Sequence, residues 1–85
     1  MPQPFAQPPQ LKTRIAVLVF IKSSAAPMVL YFDNPMAEYE DLVHTFKTSG
    51  AVNKIIEKDT IGPIKKFCIS SNQIAGIALQ EEQYM

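Results

Sequence analysis

The stretch that decides the fold is residues 34–50, NPMAEYEDLVHTFKTSG, because its start signal, its period and its stop signal all describe one helix. Asn34 is placed to accept a hydrogen bond from the free amides of a first turn, and Pro35 follows where a missing N–H does no harm. Met36, Tyr39, Leu42, Val43 and Phe46 recur at three- and four-residue steps and gather into one apolar stripe. The acids Glu38, Glu40 and Asp41 stand early, Lys47 stands late, and Gly50 offers a left-handed cap, so the helix dipole and both ends are served. Such a stripe has to lie on something, and the rest of the chain reads as strand.

Before the helix, residues 15–21 form an unbroken β-branched and aromatic run, which suits a central strand covered on both faces. The short, proline-ended segment 22–27 reads as a hairpin connection into a second strand over 28–32. After the helix, residues 52–58 alternate in part, with Val52 and Ile56 among polar neighbours, and predict a less buried third strand. Gly62 and Pro63 mark a turn, residues 64–70 return as a fourth strand, and 71–73 offer a kink or a single 3₁₀ turn. A last strand carries Ile74, Ile77 and Leu79. The expectation is an α+β domain: an antiparallel sheet of four to five strands in ββαββ order, with one helix on one face. The domain is expected over residues 13–82. A disordered tail rich in proline and glutamine is expected over 1–12 and a frayed end over 83–85. The tail prolines never stand three apart, so the PxxP spacing is absent, and Phe5 is left as a mobile terminal aromatic.

Composition bounds the partners. Eight basic and eight acidic residues balance to zero, which removes the bulk electrostatic case for nucleic acid or an anionic membrane. The apolar run at 15–21 is too short to span a bilayer, and no membrane partner is expected. Lys12 and Arg14 before that run and Ser24-Ala25-Ala26 after it loosely imitate an export signal, but Lys22 interrupts its exit and the strand reading is kept. A single cysteine, Cys68, allows no internal disulfide, which points to a reducing compartment and a cytoplasmic setting.

The two faces of the first strand then set the main functional expectation. Ile15, Val17, Val19 and Ile21 point one way and Ala16, Leu18 and Phe20 the other, yet one helix roofs only one side. At about 25 cal/mol per Å² of apolar area, a few hundred Å² left wet forgoes several kcal/mol, comparable to the stability of a small domain. A second copy of the chain is the simplest cover, so a homo-oligomer, with a dimer favoured, is expected through one of these two sets. The function expected is that of a small non-enzymatic interaction module, for which another protein partner is also open.

Two other readings follow from charged and reactive residues. Lys54, Lys58, Lys65 and Lys66 gather in the second hairpin and are the candidate contacts for an anion or a nucleic acid, although Glu57 and Asp59 stand among them. The weakest reading is a small thiol-dependent enzyme. Cys68 reads as a small buried hydrophobe, and His44 as one member of a surface pair with Glu40, so neither is assigned a catalytic role. One histidine, one cysteine and scattered carboxylates lack the ligand spacing of zinc or calcium sites, and the three glycines are too dispersed to cradle a phosphate. No catalytic residue, metal or cofactor is expected.

The layout resembles a small cyanobacterial protein family of similar length and ββαββ order. The likeness rests on Pro27 before the second strand, on Ala37, Tyr39 and Ser49-Gly50 in the helix, and on Lys65-Lys66-Phe67-Cys68-Ile69 and Ile74-Ala75-Gly76-Ile77. It covers residues 14–80, while the proline-glutamine tail departs from the family pattern. The resemblance implies the same topology and carries over no activity and no site residue.

Overall fold

The computed structural model describes residues 12–50 and 52–84. The elements are β1 (Lys12–Ile21), β2 (Met28–Leu30), α1 (Pro35–Ser49), β3 (Ile55–Asp59), β4 (Lys66–Ser70), a 3₁₀ turn (Ser71–Gln73) and β5 (Ile74–Tyr84). This is the expected α+β arrangement, two strands before the helix and, with a fifth strand at the end, three after it, with all strand pairs antiparallel. The strands divide into a three-stranded sheet, β2-β1-β5, and a two-stranded one, β3-β4. β2 lasts three residues before the chain turns into the Asn34 cap, so the second hairpin meets it only at a single bridge, Tyr31 to Ile61.

β1 is central because its run of β-branched residues is paired on both edges. Val17 faces Leu30 on one side and Leu79 on the other, and Val19 faces Met28 and Ile77. Val17, Val19, Leu30, Phe32, Leu42, Ile56, Phe67 and Ile74 form the core, with Ile21, Phe46, Ile77 and Leu79 packed against it. The odd-numbered set of β1 therefore lies under the helix. A bulge in the β1–β5 ladder assists: Phe20 pairs with Gly76 but Ile21 with Ile74, so Ala75 is the extra residue. Without it Ile74 would fall on the opposite face, since a one-residue shift exchanges the two sides of a strand.

The helix begins as its sequence requires: Asn34 Oδ1 accepts the Ala37 N–H at 3.3 Å, and Pro35 opens the first turn. Its buried stripe is rotated from the one expected. Leu42 and Ser49 are buried, whereas Met36 is 55% exposed. At 3.6 residues per turn Met36 sits about 120° around the helix from Leu42, and Glu38 and Ser49 lie closer to the inward line. The rotation brings Glu38 and Asp41 over Lys58 of β3. Gly50 has the positive φ expected of it, +53°, but its ψ of −126° belongs to a tight turn instead of a left-handed cap. The Val52 N–H closes that turn on the Ser49 carbonyl at 2.8 Å.

Other boundaries also differ. Residues 52–54 stay outside the third strand, and Val52 is exposed. Lys54 is tied instead to the 3₁₀ turn, its N–H donating to Ser71 Oγ at 2.9 Å and its carbonyl accepting the Ser71 N–H at 2.7 Å. β5 runs through the acids Glu81 and Glu82 to Tyr84, and Lys12 opens β1, where a frayed end and a tail were expected. The remainder of the proline-glutamine tail, Phe5 included, lies outside the described residues, as does Met85. Among the described residues no helix is long and apolar enough to cross a membrane.

Candidate binding face on the helix-free side of the sheet

Alternation along β1, and along β5 from Gly76 onward, sends the even-numbered residues to the side away from the helix. On this face Leu18 lies between Val29 and Ala78, and Phe20 stands beside Gly76. Phe20 is 40% exposed, while Ala16 is fully buried although it belongs to the same set. Continuing the register places Tyr31 opposite Ala16, with Gln80 on the other side. Two long side chains thus flank one methyl group. The expectation that one set of β1 lacks cover within the chain is thereby narrowed: Ala16 is covered, and the open apolar part is Leu18 and Phe20 with Val29, Gly76 and Ala78. An ideal Cβ at Gly76 would meet nothing within 4 Å, so the face is open at the residue paired with Phe20.

The other end of the same face is polar and tightly connected. The Arg14 guanidinium carbon is 4.2 Å from the Tyr31 ring centroid and 5.1 Å from that of Tyr84. Its Nε donates to Glu82 Oε1 at 3.0 Å, and the Tyr31 hydroxyl donates to the same oxygen at 2.7 Å. That hydrogen bond to the carboxylate, with burial, raises the Tyr31 pKa above its ordinary 10.0 against the opposing pull of Arg14. Tyr31 is therefore a neutral donor at any ordinary pH. Beside this cluster opens a cavity of about 360 Å³ whose walls include Phe32, Pro35 and Ile61. Gly62 lines it too, at φ +89°, and an added Cβ there would stand 2.8 Å from Tyr31 Cδ2, so the turn must be glycine for the ring to lie where it does.

Lys58 and Lys66 of the second hairpin stand on opposite sides of it. Lys58 turns toward the helix and pairs with Glu38 Oε2 at 2.8 Å and Asp41 Oδ2 at 2.6 Å. Burial alone would lower its pKa, but the hydrogen bonds to Asp41 and then Glu38 more than reverse this and hold it above the ordinary 10.5. Lys66, on the opposite side of the hairpin, lies 3.5 Å from Asp59, and Lys54 Nζ is 3.4 Å from Thr48 Oγ1. Lys65 is exposed.

Cys68 is exposed, against the expectation of a small buried hydrophobe. Phe67 takes the core side of β4, so Cys68 falls on the other, across from Glu57. His44 is exposed on the helix, and the helix packs over the Lys58 side of this hairpin, so the two do not share a face. A second cavity, about 260 Å³, is lined by Asp33, Glu38 and Asp59 among others, but no group of three His, Cys, Asp or Glu among the described residues is placed to hold a metal ion.

Arg14, Tyr31, Glu82 and Tyr84 were not singled out by their sequence. The available signal was parity: Arg14 shares the face of Ala16 and Leu18, and Glu82 and Tyr84 share that of Ala78, once β5 is carried to its full length. No family model matches the chain, and no curated protein or solved structure shows significant similarity to it.

Proposed function

We propose that this chain is a non-enzymatic interaction module that pairs with a second copy of itself through the helix-free side of its sheet. The observation that carries the reading is Phe20, a large apolar side chain 40% exposed at the centre line of a sheet, paired with the open position at Gly76. In a two-fold arrangement each copy offers the same patch, so Phe20 of one copy sits over Gly76 of the other and the reverse. A formal net charge of zero leaves little long-range repulsion between copies.

The magnitude expected is modest. Burying a few hundred Å² of apolar surface on each copy contributes about 10 kcal/mol gross at roughly 25 cal/mol per Å². Association costs of at least about 4 kcal/mol offset much of this and leave at most about 6 kcal/mol, which corresponds to a dimer of tens of micromolar affinity or weaker. The free, exposed Cys68 suits a reducing compartment such as the cytoplasm. A nucleic-acid role for the hairpin lysines draws little support, because Lys58 and Lys66 lie beside carboxylates on opposite sides of the hairpin. The test is the oligomeric state across concentration, with Phe20→Asp as the disrupting variant. Reversible dimerisation abolished by Phe20→Asp supports the reading, and a wild-type monomer throughout refutes it.

A further inference from the structure

The half-exposed guanidinium of Arg14 is engaged at Nε by Glu82 yet keeps its strongest recognition edge free. The Tyr31 and Tyr84 rings lie 4.2 and 5.1 Å from its central carbon, and Glu82 accepts from Nε, but its two terminal nitrogens have no acceptor among the described residues. Arg14 lines the cavity of about 360 Å³ whose other walls include the apolar Ile15, Phe32, Pro35 and Ile61. A cavity of this size, mostly apolar with one oriented charged group, is the usual form of a small-molecule site.

We infer that this cleft binds a small organic monocarboxylate, its carboxylate on the terminal nitrogens of Arg14 and its apolar body against Phe32, Pro35 and Ile61. A planar carboxylate matches two parallel N–H donors of a guanidinium, and the Glu82 hydrogen bond with the neighbouring Tyr31 ring restrains the arginine before a ligand arrives. Glu82 sets the charge limit. Its carboxylate lies within the same cluster, so a singly charged head group is tolerated where a phosphate dianion is repelled. A cationic ligand is disfavoured in turn, because Glu82 Oε1 already accepts from both Arg14 and Tyr31. The site does not depend on the pairing proposed above, since Arg14 and Phe20 lie six residues apart along β1, about 20 Å at the rise of a strand.

The experiment is an NMR titration of the full chain with 4-phenylbutyrate, its primary amide 4-phenylbutanamide, and phenyl phosphate. The acid is expected to give saturable shifts at the Ile61 and Gly62 amides and at the Arg14 Nε–H. The amide, which keeps the body and loses the charge, is expected to bind at least about tenfold more weakly. Arg14→Lys, which keeps the charge and loses the fork, is expected to bind the acid about tenfold more weakly. The comparison of acid with amide uses only the wild-type chain, so the inference stays testable if the variant does not fold. It is overturned by equal binding of acid and amide, by tighter binding of phenyl phosphate, by shifts that map elsewhere, or by no saturable shift with the acid.

Discussion

The ammonium of Lys58 lies 2.6 Å from Asp41 Oδ2, and this contact joins the second hairpin to the helix. Glu38 adds a second carboxylate at 2.8 Å. Asp41 is more than half exposed, so the pair is screened, and Lys58→Met is expected to cost only about 1 kcal/mol. That corresponds to a fall in melting temperature of about 4–8 °C for a domain of this size. The pH dependence has a definite sign. A lysine whose pKa is raised on folding contributes fully below the unfolded value and loses its contribution as pH rises through the folded one. Wild type should therefore lose stability above about pH 10.5, and Lys58→Met should lose less over that range. Thermal melts from pH 8 to 11.5 check this, and an equal alkaline loss in the variant contradicts it.

Tyr31 gives a second alkaline signature. Its hydroxyl is a donor to Glu82, so ionisation breaks that bond and brings two negative charges together. In a titration of tyrosinate absorbance, one of the three tyrosines should ionise later than the ordinary 10.0, and that late step should vanish in Tyr31→Phe. The same variant should lose about 0.5–1.5 kcal/mol of stability near neutral pH. A late step that survives the substitution contradicts the assignment to Tyr31.

Two glycines should respond in opposite ways. Gly62 has φ +89° and its missing Cβ would meet the Tyr31 ring at 2.8 Å, so Gly62→Ala is expected to destabilise the fold by about 2 kcal/mol and to displace the ring. Gly76 has open space where its side chain would stand and lies mid-strand, so Gly76→Thr is expected to stabilise the single chain by about 0.5–1 kcal/mol. The same threonine fills the place assigned to Phe20 of the second copy and should dissociate the pair. Chemical denaturation at a concentration where the chain is monomeric measures both fold effects, and equal destabilisation by the two substitutions contradicts the account.

Much of the fold was legible because the helix announces itself locally. Asn34, Pro35 and the spacing of Leu42 and Phe46 are short-range features, and the helix they predict is the one observed. The faces of the first strand were not legible. Residues 15–21 are apolar at every position, so nothing within the run says which set meets the helix. Lys66-Phe67-Cys68-Ile69-Ser70, by contrast, alternates, and Cys68 shares the side of Lys66 and Ser70; its exposure was legible in that parity but was overridden by the usual burial of cysteine. The length of β5 was obscured for a different reason: Glu81, Glu82 and Gln83 look like a solvated end until Ile15, Arg14 and Thr13 are known to stand across from them. The Arg14 cluster depends on that long-range pairing and on a bridge between Tyr31 and Ile61, neither of which leaves a mark in the local sequence.

The central claim is that the open apolar half of the sheet is an interface between two copies of this chain. Sedimentation equilibrium of wild type and Phe20→Asp, run side by side from low micromolar to several hundred micromolar protein, addresses it directly. The wild-type mass is expected to rise from one chain toward two with concentration while Phe20→Asp, folded by circular dichroism, stays at one. A wild-type chain that remains single at the highest concentration, or a Phe20→Asp variant that dimerises equally well, would contradict it.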